Sequence, residues 1–114
     1  GDGSNLRHYL AASDFARAVE LLAIKGNVGE EYNIASEIEL SNLEMANLIN
    51  SIIRPNSNEV KFTTDRPFND SRYAVDDSKI RNLGWSPERS IIDDIPNIIN
   101  WYKQNSSRYS RVSL

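Results

Sequence analysis

Two arginines, Arg66 and Arg72, fall within seven residues in the stretch TTDRPFNDSRYAVD, beside the aromatics Phe68 and Tyr73. A guanidinium presents a planar fork of N–H donors that matches two oxygens of a phosphate. Arg66 follows a β-prone run and precedes Pro67, whose ring fixes the local backbone and so holds the fork in place. The alternative is that Asp65, Arg66, Asp70 and Arg72 pair with one another on a solvated turn. That is a common arrangement and is worth little energetically. Arg7, ahead of the first strand, is either a second phosphate contact or an ordinary surface charge. Asn42, just inside a helix, either offers its amide to a ligand near the positive helix end or helps cap the helix. His8 reads as half-exposed and structural. Trp85 and Trp101 sit in apolar company and read as core rather than as ligand platforms.

Other chemistries are excluded by composition. With no cysteine there is no disulfide framework, thiolate zinc site or cysteine nucleophile, and a single histidine precludes a His-rich metal site. There is no GxGxxG turn, P-loop, HExxH or nucleophile elbow. None of the five tyrosines is followed four residues later by lysine, so the Tyr-x-x-x-Lys pair of hydride-transfer enzymes is missing. A net charge of -3 argues against coating a nucleic acid. No apolar run approaches the ~18 residues of a membrane helix. The opening GDGSN lacks the regions of a signal peptide, so a cytoplasmic, reducing compartment is expected. At 114 residues, 39% hydrophobic and 25% charged, the chain suits one small globular domain rather than a disordered segment.

The elements that must position these residues read β-α-β-α-β-β-α-α, an α/β unit with helices packed on a small mixed sheet. Residues 7–11 are a short strand. A helix capped by Ser13 or Asp14 runs to about Ile24, with Phe15, Val19 and Leu22 as its apolar stripe and Gly26 as its stop. Residues 31–35 (EYNIA) read as a strand. Ser41 and Glu44 have capping-box spacing before a helix with Met45, Leu48, Ile49, Ile52 and Ile53 on one face. Residues 60–64 and 72–76 are β-prone. Asp76 or Asp77 caps a short helix ended by Gly84. The last helix carries Ile91, Ile95, Ile98, Ile99 and Tyr102. A start at Ser90 puts Pro96 in its interior, and a start at Asp93 or Asp94 puts it in the tolerated first turn. Residues 106–114 read as a flexible tail.

The blocks GDGSNLRHYL, SDFARAVELL, GEEYNI, TDRPFNDSRYAVDDSKIRNLGW and NIINWYKQN, in that order, resemble the C-terminal third of the sugar-nucleotide 4,6-dehydratases. These are extended short-chain dehydrogenase/reductase proteins, and the dTDP-glucose branch is the nearest. The resemblance covers residues 1–105. It implies the substrate-binding portion of an NAD-dependent lyase, with NAD held by an N-terminal Rossmann domain outside this sequence and the catalytic Tyr and Lys there too. The sequence given is then catalytically silent alone, and it lacks an initiator Met. The implied partners are a nucleotide-sugar, the rest of the polypeptide and a second copy in a homodimer, with neither nucleic acid nor membrane involved.

Residue by residue, the resemblance assigns Arg7 and Arg66 to the substrate diphosphate and Asn42 to a substrate contact. Asp65, Pro67, Phe68 and Asn69 then line the nucleotide end of the cleft. Phe68-Asn69 stands where the family usually has Gly-His, which leaves dTDP or UDP open. Relatives acting on UDP-sugars are the alternative: UDP-glucose 4,6-dehydratases, or UDP-glucuronate decarboxylases or epimerases, the last two less like the DRPFNDSRYAVD stretch. A non-catalytic interaction module of the same fold is the remaining alternative. The resemblance also implies that the first helix and the YNI segment pack against the Rossmann domain, so that the apolar faces around Phe15–Leu22 and Tyr32–Ile34 are exposed, paired with another copy or repacked here.

Overall fold

The computed structural model describes residues 1–57, 59–73 and 75–109. In chain order they form β1 (Leu6–His8), α1 (Ala12–Lys25), β2 (Glu39–Ser41), α2 (Asn42–Ile53), α3 (Ser78–Asn82) and α4 (Ile91–Gln104). A 3-10 turn, Ser106–Tyr109, follows. The result is a mixed arrangement of helices around a small two-stranded sheet. The last five residues of the expected tail, 110–114, lie outside those described.

β1 pairs antiparallel with β2, setting Leu6 opposite Ser41, Arg7 opposite Leu40 and His8 opposite Glu39. On its other edge β1 takes Arg72 in a single parallel bridge to Leu6, and the Leu6 N–H donates to the Ser71 carbonyl at 2.8 Å. Two expected strands are corrected. Residues 31–35 and 60–64 join no ladder among the described residues, and β2 forms at Glu39–Ser41, where no strand was expected. The physical reason is that a β-prone run becomes a strand only when a partner edge is available. Tyr32 and Ile34 nonetheless pack their side chains onto the core.

Two apolar clusters flank the sheet. One contains Ala18, Ile80 and Trp85, with Leu10, Leu21, Leu22, Tyr32 and Ile34 packed against it. The other contains Met45, Ile95 and Ile99, with Tyr9, Leu40, Leu48, Ile49, Ile52 and Ile91 around it. Tyr9 and Leu10 are consecutive, and side chains alternate along an extended chain, so the segment leaving β1 serves both clusters. Trp85 is core, as expected. Trp101 is not: it is 43% exposed on α4, edge-on to Tyr102. Phe15 and Val19 are also about half exposed, so the buried stripe of α1 runs through Asp14 and Ala18 instead.

The local helix signals formed except at α1, where neither Ser13 nor Asp14 caps. Ser41 accepts the Glu44 N–H at 3.1 Å while Glu44 accepts the Ser41 N–H at 2.7 Å, the reciprocal capping box. Gly3, at φ +78°, gives its carbonyl to the Leu43 N–H, and a Cβ there would stand 3.0 Å from that of Leu43. Only glycine lets the chain pass this close to the start of α2. At α3 the side chain that caps is Asp76, which accepts the Ser78 N–H at 2.9 Å. For α4 the structure selects the earlier start: Ser90 Oγ accepts the Ile92 N–H, and Pro96 lies inside the helix. The carbonyl left without its donor belongs to Ile92, which is exposed, so water can serve it.

Asp14 does not cap α1, whose first turn follows Ala11 without a side-chain cap. Its carboxylate is 1% exposed and accepts from Arg17 Nη2 at 2.8 Å and from the Glu88 and Arg89 N–H groups at 3.1 and 3.0 Å. The Asp14 carbonyl accepts the Trp85 indole N–H at 3.1 Å. Burial pushes the Asp14 carboxyl up, but the Arg17, Arg89 and Glu88 hydrogen bonds outweigh it and the net direction is down. A carboxyl lowered on folding stabilises above its unfolded pKa, and that stability is lost as pH falls through the folded value. Asp14→Ala would leave two backbone N–H groups and a guanidinium without their acceptor, so urea unfolding should show a loss of roughly 2–3 kcal/mol at pH 7. The difference from wild type should shrink as the pH is taken below 4; a constant difference would refute the role given to the carboxylate charge.

Candidate functional site

The segment 65–73 folds back onto β1, and three contacts fix it there. Besides the Leu6–Ser71 bond, the amide of buried Asn5 donates to the Asp70 carbonyl at 3.1 Å, and Arg7 Nη2 donates to the same carbonyl at 3.0 Å. Arg7 Nη1 donates to the Leu6 carbonyl at 2.6 Å, and the guanidinium lies 4.8 Å from the centroid of the Tyr73 ring. Edge and face are both held, so the side chain is pre-positioned.

The remaining reach of Arg7 goes to Asn69, whose Oδ1 accepts from Arg7 Nη2 at 3.3 Å and from Arg66 Nη2 at 2.8 Å. Two guanidiniums from distant stretches thus converge on one neutral carbonyl oxygen. On its other side Asn69 Nδ2 donates to Asp65 Oδ1 at 3.1 Å, and the same oxygen accepts the Arg66 N–H at 2.9 Å. Pro67 marks the bend in this loop, and Phe68 beside it is 92% exposed.

The mutual-pairing alternative fails on the distribution of ion pairs. Arg72 goes to Glu39, its Nε donating to both carboxylate oxygens at 2.8 and 3.0 Å. Asp70 accepts the Tyr73 hydroxyl, and its charge pushes the Tyr73 phenol above its ordinary range. Arg17, Arg81 and Arg89 each have a carboxylate partner as well. Arg7 and Arg66 have none within 4 Å among the described residues, although Asp65 adjoins Arg66 in sequence. Neither guanidinium is therefore tied up in an ion pair, although the carboxylates of Asp65 and Asp70 lie in the same loop. Such a pair can hold a dianionic group by forked hydrogen bonds.

Of the residues singled out in the sequence, Arg7, Asp65, Arg66 and Asn69 are in one hydrogen-bonded network. Asn42 is exposed at the first position of α2, its N–H bonded to the Asn5 carbonyl at 3.0 Å. It borders the site through β2, since Ser41 lies opposite Leu6, but its side chain makes no hydrogen bond to the network. His8 sits on the other face of β1. Its Nδ1 lies 3.0 Å from the Ser36 carbonyl, which makes Nδ1 the protonated nitrogen, and its Nε2 is 3.7 Å from Glu39. Two contributors were not foreseen, Asn5 and the Asp70 carbonyl. Asn5 looks like turn chemistry in GDGSN, and a backbone carbonyl carries no sequence signal.

Comparison with known proteins follows this geometry. Residues 1–97 match the family model described as GDP-mannose 4,6 dehydratase. The chain is 40% identical over 115 residues to a trifunctional UDP-glucose 4,6-dehydratase/UDP-4-keto-6-deoxy-D-glucose 3,5-epimerase/UDP-4-keto-L-rhamnose-reductase of Arabidopsis thaliana, covering 99% of this chain and 17% of that protein. A dTDP-glucose 4,6-dehydratase from Streptomyces venezuelae, solved with NAD and TYD bound, superposes with a TM-score of 0.86 at 32% identity, over 94% of this chain and 34% of that one. A Bordetella bronchiseptica enzyme in complex with NAD+ and UDP gives 0.76 at 29% identity, over 97% of this chain and 33% of the other. The chain thus spans about a third or less of the length of these relatives.

The pairing of Arg72 carries its own test. Its hydrogen bond to Glu39, opposed by burial and helped by the Arg72 and His8 charges, holds the Glu39 carboxyl below its ordinary value. Arg72→Ala should let that carboxyl rise toward the usual glutamate range, followed by NMR titration of the side-chain carboxyl carbon. A titration midpoint that does not move would mean Arg72 is not the group that holds Glu39.

Proposed function

This chain belongs to the GDP-mannose 4,6-dehydratase family, and from that premise we propose that residues 1–105 are the substrate-binding, C-terminal portion of an NAD-dependent sugar-nucleotide 4,6-dehydratase acting on dTDP-glucose. One observation carries the reading: Arg7 and Arg66, both without a carboxylate partner among the described residues, meet at Asn69 Oδ1. A nucleoside diphosphate carries roughly two negative charges near neutrality, and two guanidiniums from separate segments are suited to neutralise them. Asn42, Asp65, Pro67, Phe68 and Asn69 complete the nucleotide end of the cleft. The UDP bound by the Bordetella relative supports a nucleoside diphosphate as the ligand class.

These residues do not fit the dinucleotide. None of the four helices opens on a glycine-rich turn, so no N-terminus here offers the close backbone approach a pyrophosphate of NAD requires. NAD, the base and the hydride transfer are assigned to the rest of the polypeptide. The half-exposed Phe15 and Val19 and the more exposed Ile24 on α1 support packing against that remainder. What this chain contributes is orientation. Binding energy gathered at the diphosphate, remote from the reacting sugar carbons, holds the hexose in place for chemistry performed by the other domain.

A second reading has UDP-glucose as the substrate, and the 40% identity to the plant protein favours it. Turnover of the complete protein with dTDP-glucose and UDP-glucose in competition separates the two. In either case Arg66→Ala or Arg7→Ala in the complete protein should raise the Kd for dTDP and UDP by about 10- to 100-fold, the range expected for a lost charge-assisted bond. Unchanged affinity in both variants would remove the diphosphate reading.

A further inference from the structure

The two arginines could have been held apart by carboxylates, as the other paired arginines are, yet a neutral amide joins them. We propose that Asn69 is the positioning residue of the diphosphate site, aligning Arg7 and Arg66 through one uncharged acceptor, and that Asp65 sets the direction of its amide. This rests on the diphosphate reading and extends it to how the site is kept ready for an anion.

The geometry assigns the roles. An amide has one acceptor end and one donor end, and a flip would turn N–H groups toward two guanidiniums. Asp65 forbids the flip, because its Oδ1 takes Asn69 Nδ2 at 3.1 Å and so leaves Asn69 Oδ1 for Arg66 at 2.8 Å and Arg7 at 3.3 Å. Asp65 is fixed in turn by the Arg66 N–H at 2.9 Å. The carboxylate thus touches Arg66 only at its backbone N–H and reaches the two guanidiniums through the amide, with no ion pair to either among the described residues. A carboxylate at position 69 would occupy the same space and accept the same two bonds, but it would cancel charge that the ligand needs. An amide oxygen instead aligns the forks and is readily exchanged for a phosphate oxygen, since hydrogen bonds to charged acceptors are the stronger ones.

The prediction is an order of effects that a merely structural residue would not produce. In the complete protein, calorimetric titration with UDP and with dTDP should show Asn69→Asp lowering affinity tenfold or more, with a flatter dependence on ionic strength. Asn69→Ala keeps both positive charges and should lower affinity only a few-fold, with the salt dependence retained. Asp65→Asn should resemble Asn69→Ala. In turnover, Asn69→Asp should raise KM with kcat little changed. Arg66→Ala is measured beside them with the same probes. If it weakens binding while Asn69→Asp does not, or if Asn69→Ala is as damaging as Asn69→Asp, the role given to Asn69 is wrong and the diphosphate reading stands. If Arg66→Ala and Arg7→Ala have no effect, the diphosphate reading itself fails.

Discussion

β1 is three residues long and both of its edges are in use, and the site exists because of that. One edge pairs with β2, and the other takes the 70–72 segment through the Leu6–Ser71 bond and the Leu6–Arg72 bridge. Residues Arg7 and Asn69 are 62 positions apart in sequence, and closing so long a loop carries an entropic cost that two or three hydrogen bonds scarcely offset. The remainder comes from the clusters on either side, which Tyr9 and Leu10 join directly to β1. Anything that loosens either cluster therefore loosens the register of the arginines before it touches them. The buried amide of Asn5, which could not be left unsatisfied, pins the same segment a second time.

The distribution of charge follows from this arrangement. Carboxylates are placed opposite Arg17, Arg72, Arg81 and Arg89, and two of them titrate low for that reason: Asp14 against Arg17 and two backbone N–H groups, Glu39 against Arg72. The structural arginines Arg81 and Arg89 are raised in turn by their hydrogen bonds to Asp77 and Asp94. Around Arg7 and Arg66 the acidic groups are near but differently occupied. Asp65 holds an amide, and Asp70 holds a phenol. The proximity of like charges is tolerated because the side chains are solvated and tied to neutral acceptors, which keeps their field directed outward.

What the sequence made legible was what depends on near neighbours. The Ser41–Glu44 box, the stop at Gly84 and the apolar face of α2 as far as Ile52 each involve residues a few positions apart and are present, while Ile53 at the end of that face is exposed. Strand pairing does not work that way. EYNIA has the composition of a strand, but its edges meet no ladder among the described residues, while the unremarkable ELS at 39–41 became β2 because His8 and Leu6 lie opposite it. The same non-locality hid the role of Asp14, whose backbone partners at Glu88 and Arg89 lie more than seventy positions on, and the destination of Arg72, whose partner is on β2. Phe15 and Val19 were read as core because helical spacing reports an apolar face but not what covers it. The family resemblance of residues 1–105 offered exposure as one outcome for that face, as periodicity alone could not, but the YNI segment it grouped with it packs Tyr32 and Ile34 onto the core.

Arg7 and Arg66 show why a site can be recognised before its geometry is known. Each is individually ambiguous, since an exposed arginine beside aspartates is most often only a solvated charge. What decides is competition among acceptors. Arg66 adjoins Asp65 and Arg72 is only two positions from Asp70, yet Arg72 is drawn across the bridge to Glu39 while Arg66 turns to Asn69. The strand edge makes that choice. By seating residue 72 beside Leu6 it delivers Arg72 to β2, and by bending the chain at Pro67 it returns Asn69 to Arg7. Backbone pairing thus sorts the two arginines of one loop into one held in a structural ion pair and one whose guanidinium has no carboxylate partner among the described residues.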